Sequence, residues 1–481
     1  MINSPARDPA YFVARPGTTT GGTRRKDLPC PTSCGGDEGP VSAENSVRAG
    51  AHRLTSIPAG RIGHPVTPRI PRVSVLDITR SRRNDTVRWA GGRSGAGFRV
   101  RLRRGYVHDH GRRVVMTGIG SFLPNDPVPV DRIDEVLGPI DEAPEPVVTF
   151  ARRFAKRFPQ RSGVEFRHFA IDPQTGDMTH TVATLAEEAC RRALDSAGRS
   201  PEEVDLLLLS TPLYDQVSPP TTVFLQEALG IGDCVEMEIH ANCSGLFKCL
   251  RIASDSLSLG RSDTALVVYP QVSSAYLRAP FYNQARMTKT QAALRYILTD
   301  GAGAVVLQAV DAAEGDAPPR EMIGTFVESV GWDQPPAMTC GAGIADMVSF
   351  RSFGEAFGQG SHHVDQDLPT VSREAPGFLF GAVKRGIESM GIAPESVNRL
   401  VVSVPSVGQY NANVERFCKY LPSCAPASEF PYRNTGYCGG AAVLVRLDEL
   451  VQSGRIKPGE TVVVHAIESS KWMSGGFALR W

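Results

Sequence analysis

The chain has 481 residues, of which 41% are hydrophobic and 21% charged, the composition of an ordinary globular protein. Its formal charge is +1, so no overall field favours a nucleic-acid or strongly acidic partner. No apolar run approaches the roughly 20 residues that a membrane-spanning helix needs. The ten cysteines are irregularly spaced, without a zinc-ligand pattern, so we expect reduced thiols, no bound metal and a cytoplasmic location.

Residues 1–113 differ in composition from the rest of the chain. They carry 21 Arg and Lys against 8 Asp and Glu, whereas residues 114–481 carry 31 against 43. The first segment is rich in Pro, Gly, Ser, Thr and Arg and has no lasting periodicity, so we predict a disordered basic extension. We interpret it as upstream sequence from a start codon assigned too early. A transit peptide or a nucleic-acid-binding tail is the alternative, against which stand its acidic residues and scattered aromatic residues.

The first half of the remainder alternates short buried strands with amphipathic helices. Residues 114–120 are predicted as a strand and 181–197 as a helix with one apolar face. The run 206–209 consists of four leucines, typical of a strand that is buried on both faces. Further predicted elements are a helix at 222–229, a strand at 235–239, a helix from 244, and strands at 264–269 and 304–307.

The second half repeats the same order of elements. Predicted helices cover 378–390, 414–421 and 439–453, and predicted strands cover 400–404 and 461–464. Such alternation implies a layered α/β fold with partly parallel sheets. We therefore predict a duplicated α/β unit, with halves at 114–315 and 316–481.

Cys243 is the candidate nucleophile. A strand with a period of two leads directly into the turn 242–245, and a helix with a regular apolar face follows. This pattern predicts a thiol at a helix N-terminus, where the macrodipole favours the thiolate, the nucleophilic form. A buried structural cysteine is the alternative interpretation of the local pattern, and Cys249 on the same helix is predicted to be of that kind.

Around Cys243, four stretches resemble those of β-ketoacyl-ACP synthase III and its relatives in the thiolase fold. They are the first strand with its glycines (117–124), the segment 163–168, the Asp-Gly-Ala-Gly strand (300–307), and Asn434-Thr435-Gly436 followed by 454–459. The resemblance covers about residues 114–481 and implies a thiolase-like, duplicated α/β/α/β/α layered fold. It also implies a homodimer.

The resemblance implies a reaction in two halves. Cys243 takes an acyl group from a thioester of CoA or acyl carrier protein, with the oxyanion held by backbone N–H groups, one of them that of Cys243. A second substrate then receives the acyl group. In the ordinary family member that substrate is malonyl-ACP, which is decarboxylated with the help of a His and an Asn. Asn434 matches that asparagine. CoA and acyl carrier protein would be substrates, and no cofactor is implied.

The histidine of the family pattern is missing. Where the family has Val-Pro-His-Gln-Ala-Asn, the chain continues from Val404-Pro405 to Asn413 without a histidine. Aligned on Val-Pro, Ser406 takes the histidine position, and aligned on Ala412-Asn413, Tyr410 takes it. Neither supplies a base near pH 7. The C-terminal loop, glycine-rich in the family, reads Ile-Glu-Ser-Ser-Lys-Trp at 467–472, which predicts an altered oxyanion hole.

These departures leave two hypotheses. The first is an acyltransferase of the 3-oxoacyl-ACP synthase III type, in lipid or secondary metabolism, which forms acyl-Cys243 and passes the acyl group to malonyl-ACP or to a hydroxyl or amine. The missing histidine favours a hydroxyl or amine acceptor, since such an acceptor needs no decarboxylation. The second is a catalytically silent thiolase-fold subunit of an active ketosynthase. His240, His465 and Cys438 are the candidates to compensate for the altered oxyanion hole, but we interpret them as structural residues. Neither a nucleic-acid partner nor membrane association is expected.

Overall fold

The strands run from the N-terminal region to the last residues of the chain. The computed structural model describes residues 86–88, 99–101, 106–107, 112–282, 284–311, 318–341, 343–424 and 430–481. The strands are β1 Thr86–Arg88, β2 Arg99–Arg101, β3 Tyr106–Val107, β4 Arg113–Phe122, β5 Val128–Pro129, β6 Phe166–Arg167, β7 Leu206–Thr211, β8 Val235–His240, β9 Thr264–Gln271, β10 Gly301–Val310, β11 Glu321–Ser329, β12 Met338–Thr339, β13 Asp365–Gln366, β14 Val397–Val402, β15 Thr461–Glu468 and β16 Met473–Arg480.

Helices fill the connections between these strands. They are α1 Asp134–Leu137, α2 Glu145–Ser162, α3 Val182–Ala197, α4 Thr221–Leu229, α5 Gly245–Ser258, α6 Ser274–Leu277, α7 Ala279–Tyr282, α8 Lys289–Leu294, α9 Asp346–Ser349, α10 Phe353–Gly358, α11 Leu368–Ser389, α12 Val407–Tyr420 and α13 Ala441–Gln452. In the described part of the chain, no helix combines the length and the apolar character that crossing a bilayer requires.

The main sheet shows an internal duplication. Its strand order is β14-β15-β16-β11-β4-β10-β9-β7-β8, and β3 pairs with β11 in addition. Numbered along the chain, the strands of the first half stand in the order 3-2-4-5-1, and the described strands of the second half repeat this order without a counterpart of the third. The pairs β7/β9 and β14/β15 are parallel, and the pairs β9/β10 and β15/β16 are antiparallel. The two halves therefore share one topology.

Two helices lie between the two halves of the sheet. Helix α5 contacts β7 and β9 of the first half and also β11 and β16 of the second. Helix α13 contacts β4 and β10 of the first half and β14 of the second. Helix α3 packs on the first half and α11 on the second, which gives the layers α/β/α/β/α. This is the predicted thiolase-like layering.

Burial on both faces explains the run of four leucines in β7. Leu206 and Leu208 belong to the core around α5, whereas Leu207 and Leu209 belong to the core around α3. Alternate side chains of a strand point to opposite faces, so a strand between two helix layers needs apolar residues at every position. The predicted buried strand is confirmed, and it extends to Thr211.

The glycines of the first strand bring a helix close to the sheet. A Cβ on Gly118 would lie 2.2 Å from the carbonyl oxygen of Ala193, and one on Gly120 would lie 2.4 Å from its nitrogen. Both contacts are too short for any side chain, so these glycines are required for the packing of α3. They serve as packing positions inside β4.

Only part of the predicted division of the chain can be compared with the described residues. The extension 1–113 lies outside them apart from β1, β2, β3 and residues 112–113. The seam at 315/316 falls in the segment 312–317, which also lies outside them. The described residues belong to one compact unit, Thr79–Trp481.

Candidate active site

Cys243 lies at a strand-to-helix turn, as the sequence predicts. The strand β8 ends at His240, and α5 begins at Gly245, with Ser244 as its N-cap residue. The turn is held to the neighbouring strand by the Ala241 N–H, which donates to the Thr211 carbonyl oxygen at 3.3 Å. Cys243 is 8% exposed and lines a cavity, so its sulfur is buried and still reachable.

The cavity has a volume of about 410 Å³, within the size range of small-molecule sites. Polar groups line one part of it, and apolar side chains from α2, α6, α8 and α11 line another. The polar lining residues include Gln271, Ser403, Tyr437 and Glu468, and the apolar ones include Phe158, Leu277, Leu294 and Val371. A polar set beside the thiol and an apolar wall suit a thioester with a hydrocarbon acyl group.

Tyr437 is the nearest polar partner of the thiol. Its hydroxyl oxygen lies 3.0 Å from Cys243 Sγ, a hydrogen bond in which either atom can donate. The hydroxyl of Ser403 lies beside the same phenol. Burial raises the pKa of Tyr437 well above its usual value, with the neighbouring sulfur adding to the effect. Tyr437 is therefore a neutral phenol that can donate a hydrogen bond to a developing thiolate.

The thiol itself is not activated in the way that the sequence predicts. Burial raises the pKa of Cys243 to about 12, and the Glu468 carboxylate raises it further, while the Tyr437 hydrogen bond lowers it. The expectation of a thiolate stabilised by the helix N-terminus is wrong for this site. Desolvation penalises the charged form more strongly than the helix end favours it. Cys243 is thus a neutral thiol near pH 7.

The N-terminus of α5 binds a carboxylate, that of Glu468, rather than a Cys243 thiolate. One oxygen of Glu468, the last residue of β15, accepts from the Ser244 N–H at 3.1 Å and from the Ser244 hydroxyl at 2.6 Å. The other oxygen accepts from the Ser470 hydroxyl. The helix N-terminus favours an anion, and here Glu468 supplies it. Glu468 stands in the loop that is glycine-rich in the family, so this departure introduces a negative charge into the site.

The two alignments of the missing histidine lead to different places. Ser406 lines the cavity with Cys243, and its side chain caps α12 by accepting from the Gln409 N–H at 3.4 Å. Tyr410 does not line this cavity. It borders a second, smaller cavity of about 40 Å³ and packs against Phe430. The alignment on Val-Pro therefore corresponds to the geometry, although the Ser406 hydroxyl is engaged as a helix cap.

Asn434 lies outside the cavity, which corrects its assignment to the site. Asn434 is exposed at a turn, whereas Tyr437, three residues later, returns to the interior and pairs with Leu298. The turn depends on Gly436, whose φ is +69° and whose N–H donates to the Tyr432 carbonyl oxygen at 3.1 Å. After this tight turn, Tyr437 is the residue of the segment that contacts Cys243, and Asn434 is not. Sequence reasoning missed Tyr437, although it directly precedes the turn at the start of α13.

The remaining candidates divide between the core and the cavity. His465 is fully buried beside Phe247 and Phe326, and burial lowers its pKa to about 3. Cys438 is also buried, and burial raises its pKa to about 12. Both are structural residues, as interpreted from the sequence. His240 differs, since it lines the cavity next to Tyr214.

Other side-chain chemistry is limited in the described residues. They contain no group of three or more His, Cys, Asp or Glu side chains that could hold a metal ion. The eight described cysteines are all free. The duplicated five-layer fold is that of the thiolase class, and Cys243 faces a cavity from the N-terminus of the central helix α5.

Comparisons with known proteins agree with this class. The family model of 3-oxoacyl-[acyl-carrier-protein (ACP)] synthase III matches residues 237–317. The β-ketoacyl-[acyl-carrier-protein] synthase III of Rhizorhabdus wittichii is 29% identical over 373 residues, which cover 76% of this chain and 97% of that protein. Over about three quarters of its length, the chain is thus similar to β-ketoacyl-ACP synthase III.

Solved structures give the same result. AbyA1, a tetronic acid condensing enzyme, is 28% identical, with a TM-score of 0.60, and covers 76% of this chain and 100% of its own. The 3-oxoacyl-(acyl carrier protein) synthase III of Pseudomonas aeruginosa has a TM-score of 0.59 at 23% identity, over 77% of this chain and 98% of its own. At this identity, the latter comparison supports the fold alone.

Proposed function

We propose that the protein forms an acyl-thioester on Cys243 and passes the acyl group to an acceptor hydroxyl or amine. The donor is a thioester of CoA or acyl carrier protein. The Cys243 sulfur attacks its carbonyl carbon, a new S–C bond forms, and the carrier leaves as a thiol with the proton that Cys243 loses. The observation that carries this proposal is the Cys243 thiol in the cavity, in hydrogen-bond contact with Tyr437.

The delivery of an anionic carrier is supported by the basic face of α2. This face consists of Arg152, Arg153, Lys156, Arg157 and Arg161, which are all exposed. On the opposite side of the helix, Phe158 lines the cavity. CoA and acyl carrier proteins both carry phosphate, so a basic surface on a helix that also contributes to the cavity lining favours either donor.

The choice of acceptor follows from the residues at the family's histidine position. Ser406 stands there and cannot supply the cationic donor that stabilises an enolate during decarboxylation. A hydroxyl or amine acceptor needs no such step.

The experiment is a chase of the acyl-enzyme with competing acceptors. The protein is first loaded with a panel of acyl-CoAs, and then mixed with malonyl-ACP, glycerol or ethanolamine. We expect esters or amides without release of CO₂. A β-ketoacyl thioester with release of CO₂ would instead establish the condensing reaction of the ordinary family member.

A second candidate function is a catalytically silent subunit that supports an active ketosynthase. The raised pKa of Cys243 favours it, since a neutral thiol is a poor nucleophile. This candidate predicts that no acyl group is found on Cys243. It also predicts that Cys243→Ala leaves the activity of a co-purifying homologue unchanged.

A further inference from the structure

Glu468 combines three properties that capping a helix does not require. It is 3% exposed, it lines the cavity with Cys243, and the hydrogen bonds that it accepts from described residues come from neutral donors. A carboxylate offers about four acceptor positions. The Ser244 N–H, the Ser244 hydroxyl and the Ser470 hydroxyl use three of them, so one acceptor position is left in a site that borders the cavity.

Neutral donors preserve the ability of a carboxylate to take a proton. The contrast within this chain is Glu328, which is also a partly buried glutamate. Its oxygens accept from Arg385 at 2.5 and 2.9 Å, and its charge is thereby balanced by a guanidinium. Burial without a cation disfavours the charged form, whereas an adjacent cation favours it. Of the two carboxylates, Glu328 has a guanidinium partner, whereas the donors to Glu468 are neutral.

Hydrogen bonds to the residue next to Cys243 hold Glu468 close to the nucleophile. Its hydrogen bonds to Ser244 join β15 to the residue that follows Cys243. Its charge acts on the Cys243 thiol directly. The phenols of Tyr269 and Tyr437 and the thiol of Cys438 also interact with Cys243, and burial keeps these three groups neutral. His240 lines the same cavity. Glu468 is therefore the one group of this set that carries a carboxylate beside the sulfur.

We propose that Glu468 is the general base of the second half-reaction and accepts the proton of the acceptor hydroxyl or amine as it attacks acyl-Cys243. This inference rests on the proposed function and deepens it. The acceptor oxygen or nitrogen forms a bond to the acyl carbon, and the S–C bond to Cys243 breaks. The proton of the acceptor passes to Glu468 and then to the departing sulfur, which restores the carboxylate and the neutral thiol. No oxidant, metal or further reactant is needed.

The test separates the two half-reactions in single turnovers. Acyl-enzyme is prepared from acyl-CoA, freed of excess donor, and its decay in water and in glycerol is followed by intact-protein mass spectrometry. Glu468→Gln keeps a carbonyl oxygen for the Ser244 N–H and removes the base. We expect acyl-Cys243 to form within about threefold of the wild-type rate, and its decay to slow by about 100- to 10,000-fold.

Two further variants distinguish catalysis from structure. Glu468→Asp keeps a carboxylate, and we expect it to restore part of the decay rate. Glu328→Gln makes the same chemical change outside the cavity, and we expect both half-reactions to stay within about twofold of wild type.

Each outcome has a consequence for the proposal. If the acyl-enzyme of Glu468→Gln decayed at the wild-type rate, the role of Glu468 as a base would be overturned, and the proposed acyl transfer would be unaffected. Loss of acylation together with decay would also overturn it, because Glu468 would then serve to position Cys243. The absence of any acyl adduct on the wild-type protein would instead refute the proposed function itself.

Discussion

At the scale of single residues, the protonation of Cys243 decides how the site works. The thiol has a raised pKa of about 12, caused by burial and by the neighbouring Glu468. A neutral thiol becomes nucleophilic only when its proton leaves during the attack. The proposed acylation therefore requires the Cys243 proton to leave as the sulfur attacks the thioester.

Alkylation by iodoacetamide tests this protonation state. Because the thiolate fraction grows tenfold per pH unit below the pKa, we expect the alkylation rate of Cys243 to increase about tenfold per unit between pH 7 and pH 10. Cys249, which is fully buried, should remain unlabelled in the folded protein. Peptide mapping by mass spectrometry locates the label. A plateau of the Cys243 rate below pH 8 would show that the thiol is activated in the free protein.

Substitution of Tyr437 tests the hydrogen bond to the sulfur. Tyr437→Phe removes a donor to the developing thiolate, whose contribution is about 1.5–3 kcal/mol for a charged group. We therefore expect kcat/KM for acylation to fall about 10- to 100-fold. Tyr432→Phe is the matched control, since its hydroxyl donates to the Val402 carbonyl oxygen at 2.7 Å, away from the thiol. Equal losses in both variants would show that Tyr437 acts only through stability.

The sequence predicts one member of the site better than the others. Cys243 is marked by a local pattern of strand, turn and helix, which a single stretch of sequence contains. Tyr437 and Glu468 act through contacts between distant segments, 194 and 224 residues away from their partners Cys243 and Ser244. The motif pointed to Asn434, but the turn at Gly436, with its positive φ, separates Asn434 from Tyr437, and only Tyr437 lines the cavity.

At the scale of secondary structure, helix α2 links the surface to the cavity. Its basic face is exposed, while Phe158 on its buried side lines the cavity. The helix also packs against α8 and α12, each of which supplies a residue to the cavity lining, Leu294 and Gln409. Helix α2 therefore carries a basic surface on one side and part of the cavity lining on the other.

Reversal of charge on α2 tests this function. We expect Arg153→Glu combined with Arg157→Glu to raise KM for acyl-CoA by about tenfold at low salt, because favourable phosphate contacts become repulsive. KM for the uncharged acyl-N-acetylcysteamine thioester should stay unchanged, and Lys419→Glu on α12 is the control for a surface charge elsewhere. Equal effects on both donors would exclude an electrostatic role of the helix.

Most strands of the main sheet are predicted from periodicity, whereas helix α2 and strand β11 are not predicted. Helix α11 is predicted from residue 378 but begins at Leu368, since Pro376 in its interior indicates a break that packing overrides. Strand β16 is not predicted. Two of its central residues are Gly475 and Gly476, where a Cβ would lie 2.5 Å from Phe247 and His465, respectively. These glycines weaken the sequence pattern of a strand and are required by its neighbours.

At the scale of the whole molecule, β8 is an edge strand with apolar residues on its surface. It is the last strand of the sheet, and Val235 and Met237 are 54% and 39% exposed. An unpaired apolar edge is a site for pairing with another chain. The homodimer implied by the family resemblance would cover this edge and adjoin the turn that holds Cys243.

Lysine substitutions test this assembly. We expect the wild type to be a dimer by light scattering, and Val235→Lys combined with Met237→Lys to be a monomer, because burying two ammonium groups in an interface is unfavourable. Leu259→Lys, at a residue 50% exposed near the end of α5, is the control and should leave the mass unchanged. A wild-type monomer, or a dimer that the β8 substitutions do not affect, would contradict this arrangement.

The central claim is that Cys243 accepts an acyl group, and intact-protein mass spectrometry after incubation with acyl-CoA tests it most directly. We expect one acyl mass per chain, located at Cys243 by peptide mapping, and none in Cys243→Ala. An unmodified wild-type protein across a range of acyl chain lengths, or a label that persists in Cys243→Ala, would contradict the account.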